Sequence, residues 1–329
     1  MSVNALTNYN LRKVMTDIVV VSLNLFRVMI PTLIIVKIAT EFGLDTLLIS
    51  LFSPMMELMA LPSSAAIVLV TTLLTNPYTG LIVAASLPEM ASLNIAQSSI
   101  IALFMLFTHG LPLEAMISSK VGIRLWVVVV LRLATAFIFG ILLAQFFVVA
   151  GWYQAPAFVN LPLITTVDPS LSAWLIGQAI ALFMIQIVII ILIALLELLR
   201  VLGIEKLMIW LLSPVLRLMG IGPRASTIAI VGVSLGLTFG SGILMKDVQT
   251  GTIPKRDVYG VLCFLNLKHS LFEDTAVVML LGPSLFVIVV LRLVISVMVT
   301  MFMMAIGRHL DDPQWHRYLT NENIPKEAG

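Results

Sequence analysis

The sequence has little cysteine, little charge and no recognisable catalytic motif. Its 329 residues include one cysteine, Cys263, which excludes an internal disulfide and any metal or iron–sulfur site built from several cysteines. Charged residues make up 11%, whereas soluble domains contain about 25%. No H-E-x-x-H, G-x-S-x-G or phosphate-binding loop is present, and we expect that the protein is not an enzyme. The net charge of +2 offers no basic surface for nucleic acid.

Apolar residues dominate the chain instead. They make up 60% of it and recur in segments of about 20 residues or more, the length that a membrane-spanning helix needs. The sequence therefore predicts an all-α integral membrane protein that lies in a lipid bilayer. The predicted full spans are six, at 16–40, 95–119, 122–149, 172–201, 257–281 and 283–307.

The second half of the chain repeats the first at an offset of 160 residues. The clearest match joins Thr108–Glu114 to Lys268–Asp274, two polar motifs inside apolar segments. His109 corresponds to His269, and Glu114 corresponds to Asp274. The same offset relates Gly43 to Gly203, Ser53-Pro54 to Ser213-Pro214, and Arg132 to Arg292. Because His, Arg, Gly and Pro are matched as well as apolar residues, we interpret the halves as an internal duplication.

The distribution of basic residues predicts that the two repeats have opposite orientations. With Arg12 and Lys13 on the cytoplasmic side, the positive-inside rule places the loops of the first half that lack Lys and Arg outside. The equivalent loops of the second half carry Lys and Arg, and the rule places them inside. Inverted repeats are typical of secondary transporters. The predicted organisation is a cytoplasmic lead-in (1–15), membrane repeat 1 (16–150), an external linker (151–171), inverted membrane repeat 2 (172–307) and a cytoplasmic tail (308–329). Both termini would be cytoplasmic, in a bacterial inner membrane.

Each repeat is predicted to run span, interfacial helix, re-entrant hairpin, broken span, span. Inversion requires three or five crossings in each repeat, and we favour three, because five would place Arg217 and Arg224 outside. The predicted topology therefore has about six full spans and two hairpins. The hairpin tips are predicted at Asn76-Pro77 and at Gly240–Gly242, where the apolar segments are interrupted. Free amides at a tip such as Gly240-Ser241 are able to bind a polar ligand.

The ionisable residues at membrane depth are the candidate functional groups. A spacing of five residues from histidine to carboxylate places the two groups about 140° apart on a regular helix, so they share a face only if the helix unwinds. Gly110 and Pro112 favour unwinding in the first motif, and the second motif should be less broken, with Glu273 on the face of His269. Arg132 and Arg292 lie about 15 Å into their helices and are interpreted as structural charge partners. The alternative for both histidines is a structural role with hydrogen bonds to the backbone.

This order of elements resembles the core of the concentrative nucleoside transporters, and still more the nucleoside-recognition (Gate) domain family, which also supplies the membrane part of bacterial ferrous-iron permeases. The resemblance covers roughly 16–307 and rests on architecture. It implies a solute site formed by the two hairpin tips and the two broken spans. Carried over to this chain, the implied substrate-binding residues are Asn76, Gly80, His109, Glu114, Gly240, Ser241, His269, Glu273 and Asp274.

Three functions are predicted from these features. The first is a secondary transporter of a small polar, nucleoside-like solute, working by alternating access and coupled to H⁺ or Na⁺. The second is a carrier of a divalent metal cation, because two histidines and carboxylates form a mixed N/O ligand set, here His109, Glu114, His269 and Asp274. The third is a non-transporting membrane assembly or sensor protein. Similar folds form oligomers, which implies a homo-oligomer, trimer or dimer. The candidate cofactors are a divalent metal and a coupling ion, H⁺ or Na⁺.

Overall fold

The computed structural model describes residues 11–161, 170–249 and 253–321. Within these ranges the secondary structure is helical, with two isolated β-bridges and no strand. Five described helical segments are long and apolar enough to cross a membrane: Val14–Glu41, Ile95–Val121 (with a short break), Leu125–Ala150, Leu171–Leu195 and Phe286–Arg308. The chain is thus an all-helical, multi-pass membrane protein, as the sequence predicts. Residues 1–10 of the predicted lead-in, 162–169 of the linker and 322–329 of the tail lie outside the described ranges.

The helices occur twice in the same order. The first set is α1 (Leu11–Glu41), α2 (Leu44–Leu58), α3 (Ala65–Leu74), α4 (Pro77–Ala85), α5 (Ile95–Thr108), α6 (Leu111–Val121) and α7 (Leu125–Ala150). The second is α8 (Leu171–Val201), α9 (Ile204–Leu218), α10 (Pro223–Leu235), α11 (Leu237–Gln249), α12 (Lys255–Leu267), α13 (Glu273–Val278) and α14 (Arg292–Arg308), with a π-helical segment, Phe286–Leu291, before α14. A short helix, α15 (Asp312–Tyr318), follows.

The first helices of the two sets correspond closely. Both α1 and α8 have 31 residues, and both α2 and α9 have 15. The turn before α2 and the turn before α9 each contain a glycine in the left-handed conformation, Gly43 (φ 70°) and Gly203 (φ 74°). Such a turn favours glycine because a β carbon is strained there. The duplicated order supports the internal repeat, while the inverted membrane topology stays a prediction.

The sixth predicted span, 257–281, is not one long helix. It is divided into α12 and α13 by residues 268–272. Neither part is long enough to cross a membrane alone, so the structure contains five candidate spans in its described residues rather than six. Crossing by the two short helices together stays a prediction.

Two helix pairs, α3–α4 and α10–α11, occupy the places of the predicted hairpins. In the first pair the turn lies at Asn76, whose side chain accepts a hydrogen bond from Thr79 N and caps α4. In the second pair the turn lies at Gly236, with φ of 97°. The predicted tip at Gly240–Gly242 is therefore wrong, because those residues lie inside α11. Gly236 is the residue that the 160-residue offset matches to Asn76.

Close packing holds each helix pair together. A β carbon added at Gly80 would lie 1.8 Å from Thr72 Oγ1, on the facing helix α3. A β carbon added at Gly240 would lie 2.8 Å from the Cα atom of Gly232, on the facing helix α10. Both glycines therefore allow the two helices of a pair to approach where a larger residue would separate them.

The chain forms two compact units, each assembled from both repeats. Unit 1 comprises Met1–Gly110, Phe139–Leu202 and Glu273–Ile288, and unit 2 comprises Leu111–Ile138, Gly203–Phe272 and Val289–Gly329. Unit 1 therefore contains the hairpin of repeat 1 and α5, the first half of the broken span of repeat 1. It also contains α13, the second half of the broken span of repeat 2. Unit 2 contains the hairpin of repeat 2 and α12, the first half of the broken span of repeat 2. It also contains α6, the second half of the broken span of repeat 1. The most buried helices are α4 and α5 in unit 1 and α12 in unit 2.

The described part of the predicted tail after α14, residues 309–321, is packed within unit 2. Trp315 is 3% exposed, and its ring meets the edge of Tyr259 with 5.0 Å between centroids. The side chain of Arg124 donates to the His316 carbonyl at 2.9 Å, and Asn321 N donates to Gly122 O at 2.9 Å. The buried indole explains this docking, because an aromatic side chain stabilises the fold strongly when it is removed from water.

Candidate functional site

The break in the first broken span is short. Helix α5 ends at Thr108, and α6 begins at Leu111. Gly110 has φ of 58°, a left-handed conformation that ends the helix, and its N–H donates to Thr72 O at 3.2 Å. That carbonyl belongs to the third-last residue of α3, beside the hairpin turn. The break and the hairpin of repeat 1 are thus joined within unit 1.

The break in the second broken span is longer, so the expectation of a less broken second motif is wrong. Residues 268–272 separate α12 from α13, and Ser270 has φ of 47°. The N–H of Leu271 donates to Val233 O at 2.9 Å, near the end of α10. A β carbon added at Gly236 would lie 3.0 Å from Ser270 Oγ. The hairpin of repeat 2 is therefore hydrogen-bonded to this break within unit 2, as the hairpin of repeat 1 is to its own break within unit 1.

The two histidines are oriented in the same way. His109 Nδ1 lies 3.0 Å from Met105 O, and His269 Nδ1 lies 2.7 Å from Leu265 O. A carbonyl oxygen only accepts, so in each ring Nδ1 carries a hydrogen and donates it to the carbonyl four residues earlier. This bond fixes each ring against the last turn of its helix and directs Nε2 towards a carboxylate.

In unit 1 that carboxylate is Asp274. Its Oδ2 lies 3.4 Å from His109 Nε2, and the two side chains are 9% and 6% exposed. The neighbouring Glu273 accepts a hydrogen bond from Tyr78 Oη at 3.2 Å. Tyr78 is buried on α4, two residues after the Asn76 cap. Unit 1 therefore brings together four residues that the sequence singled out, and adds Tyr78, which the sequence analysis did not identify.

In unit 2 the partner is Glu114. Its Oε1 lies 3.2 Å from His269 Nε2, and its Oε2 accepts a hydrogen bond from Arg132 Nη1. Arg132 is 0% exposed, so the pair removes a full positive charge from solvent. The equivalent Arg292 is also buried, and its Nε donates to Leu267 O at 3.1 Å, at the end of α12. One arginine thus neutralises a site carboxylate, and the other satisfies a carbonyl that the helix leaves without a partner.

Each histidine therefore pairs with a carboxylate from the other repeat. The pairs are equivalent under the 160-residue offset, since His109 matches His269 and Asp274 matches Glu114. In each ring Nδ1 carries a hydrogen, and in a neutral imidazole Nε2 then carries none. The contact from Nε2 to a carboxyl oxygen is therefore a hydrogen bond only if a second proton lies between these two atoms. Each pair can thus hold a proton, or it can offer one nitrogen and one oxygen donor to a cation.

The remaining predicted site residues are placed as follows. Gly80 and Gly240 lie at close helix contacts rather than facing open space. Ser241 is 1% exposed, and its hydroxyl has no hydrogen-bond partner among the described residues. The predicted metal ligands fall two in each unit: His109 and Asp274 in unit 1, and Glu114 and His269 in unit 2. A metal site built from them stays a prediction.

Comparison with known proteins adds a membrane protein of unknown activity. The chain is 27% identical over 283 residues to the uncharacterized membrane protein YvoD of Bacillus subtilis (strain 168), covering 84% of this chain and 88% of that protein. An alignment of this length includes residues of both repeats. No family model and no solved structure matches the chain.

Proposed function

We propose that the protein is a secondary transporter of a small polar, nucleoside-like solute. The observation that supports this most is the equivalent construction of the two broken spans. Each break is hydrogen-bonded to a helical hairpin, and each contains a buried histidine paired with a carboxylate of the other repeat. Buried ionisable groups at breaks in membrane helices mark solute and ion paths.

The proposed mechanism is alternating access. In each unit the hairpin lies against the break through one backbone hydrogen bond, either Gly110 N to Thr72 O or Leu271 N to Val233 O. Motion of a hairpin away from its break would expose the histidine–carboxylate pair to one side of the membrane. The positive-inside pattern supports repeats of opposite orientation, re-entrant hairpins and cytoplasmic termini in a bacterial inner membrane. A homo-oligomer, trimer or dimer, belongs to the same proposal.

The coupling ion is H⁺ or Na⁺. A proton is favoured by the geometry of the pairs, since the bond between Nε2 and the carboxyl oxygen needs one. His109 and His269 would bind the solute or transfer this proton, and Glu273 and Asp274 would contribute acceptors for hydroxyl or N–H groups of the solute.

A second candidate is transport of a divalent cation. Each unit offers one imidazole nitrogen and one carboxylate oxygen, at 3.4 Å from each other in unit 1 and 3.2 Å in unit 2. Mixed N/O donors of this kind suit Zn²⁺, Fe²⁺ or Mn²⁺.

Uptake by the purified protein in liposomes tests these functions. Labelled uridine and adenosine are supplied under an imposed proton or sodium gradient, and Mn²⁺ and Zn²⁺ are supplied to parallel liposomes that contain a metal-sensitive dye. Saturable, gradient-dependent nucleoside uptake is expected. Metal uptake alone would favour the cation carrier, and absence of all uptake would leave the non-transporting assembly or sensor function.

A further inference from the structure

Two polar contacts, here called rungs, join α6 to α12 and to the break that follows α12 in unit 2. The first rung is the contact of Glu114 with His269 at 3.2 Å, described above. The second rung is a hydrogen bond from Asn266 Nδ2 to Ser118 Oγ at 2.9 Å. Glu114 and Ser118 are four residues apart on α6, so they share one face of that helix. The second rung thus continues the polar surface from the histidine–carboxylate pair along the two helices.

The amide of Asn266 has a fixed orientation. Its Nδ2 also donates to Leu262 O at 2.9 Å, and a carbonyl oxygen can only accept. The nitrogen must therefore face Ser118 and Leu262, which leaves Oδ1 on the other side. Oδ1 is buried and accepts no hydrogen bond from the residues that the structure describes. Buried acceptors normally have a donor, so this oxygen is suited to a donor from outside the protein.

The fold does not require a polar second rung. The 160-residue offset matches Asn266 to Leu106 and Ser118 to Val278. Leu106 and Val278 are both apolar and 0% exposed, and both belong to unit 1, where α5 packs against α13. Unit 1 thus builds the corresponding positions from apolar side chains. Polar residues at these positions in unit 2 are more costly to bury, which indicates a role in binding rather than in packing.

Another polar group in unit 2 has no hydrogen-bond partner among the described residues. Ser241 on α11 is 1% exposed, and its Oγ makes no hydrogen bond to the described residues. Helix α11 packs against both α6 and α12, and a β carbon added at Gly240 would lie 3.0 Å from Leu265, the neighbour of Asn266. Unit 2 therefore contains an amide oxygen on α12 and a hydroxyl on α11, two helices that pack against each other, and neither group has a hydrogen-bond partner among the described residues.

We propose that Asn266, positioned by Ser118, is a specificity-determining residue that accepts a hydrogen bond from a hydroxyl group of the solute. The inference rests on the proposed nucleoside-like transporter, and it assigns recognition of a solute donor to unit 2. Asn266 would select against solutes that lack a donor at this position, because the buried oxygen then stays without a partner.

Calorimetric binding of uridine and of its 2′-, 3′- and 5′-deoxy analogues to the purified protein tests the assignment. Asn266→Leu removes the acceptor and keeps a similar shape, with the residue that repeat 1 has at this position. Cys263→Ala, one turn earlier on the same buried helix, is the matched control. Asn266→Leu should weaken uridine binding about ten-fold, as loss of one buried hydrogen bond implies, and Cys263→Ala should not.

The deoxy analogues identify the interaction itself. One analogue should bind the wild type about ten-fold more weakly than uridine, and should bind Asn266→Leu no more weakly than uridine does. Equal uridine binding by Asn266→Leu and wild type would overturn the inference and leave the transporter standing. A wild type that binds no nucleoside would overturn the nucleoside function and this inference together. If Asn266→Leu does not fold, Ser118→Ala is used instead, and unchanged uridine binding by that variant overturns the inference.

Discussion

Removing the charge of Glu114 should destabilise unit 2 strongly. Glu114 accepts a hydrogen bond from Arg132, which is 0% exposed, and lies 3.2 Å from His269. Glu114→Gln keeps the size of the side chain but takes the anionic partner from a buried guanidinium. Breaking a buried ion pair by removing one charge costs about 3–5 kcal/mol in the free energy of unfolding. Removing both charges, in Glu114→Gln/Arg132→Met, should recover a large part of this loss.

Thermal unfolding in detergent measures the effect. At about 2–4 °C for each kcal/mol, the melting temperature of Glu114→Gln should fall by roughly 6–20 °C. Glu89→Gln is the control, because Glu89 is an exposed carboxylate bonded to Ser64 and should change stability by less than about 0.5 kcal/mol. This contribution of the ion pair is refuted if Glu114→Gln melts at the same temperature as the wild type, or if the double variant is no more stable than the single one.

Two further predictions concern α11 and α15. Gly240→Ala should lower the free energy of unfolding by about 1–3 kcal/mol, because its β carbon would lie 2.8 Å from a backbone atom of the facing helix. Gly242→Ala is the control and should be neutral or stabilising, because its β carbon would have no atom within 4 Å. Equal thermal stability of the two variants would contradict this packing. The hydrogen bond and charge of Lys255 lower the pKa of Asp312 from its ordinary 3.8. The docking of α15 should therefore be fully stabilised above pH 3.8 and weaken as the pH falls through the lowered pKa, as Trp315 fluorescence would show; an unchanged acid response in Asp312→Asn would refute it.

The duplicated order of helices was predictable because both apolar length and punctuation recur in the sequence. The glycines before α2 and α9 and the break at His109-Gly110 are local features, set by conformations that favour glycine. The turn at Gly236 was missed because Gly240–Gly242 is a denser cluster of small residues. The structure shows that Gly240 serves close packing of α10 with α11, a tertiary reason that local turn preferences do not reveal.

The pairing of each histidine with a carboxylate of the other repeat could not be predicted from the sequence. Helical spacing relates His109 to Glu114 within one motif, but the halves of each broken span lie in different units, so Asp274 becomes the partner of His109. The exchange depends on the path of the chain after each break, and local patterns do not specify that path. Burial of Trp315 was missed for the same reason, since its partner Tyr259 is distant in sequence.

Initial rates of labelled uridine uptake into liposomes test the central claim most directly. They are compared for the wild type, His109→Gln and His269→Gln, each verified to be folded by its elution profile and melting temperature. Saturable uptake by the wild type and its loss in both variants are expected, because each histidine belongs to an equivalent pair at a break. Uptake by the wild type at the level of empty liposomes, or full uptake by both variants, would contradict it.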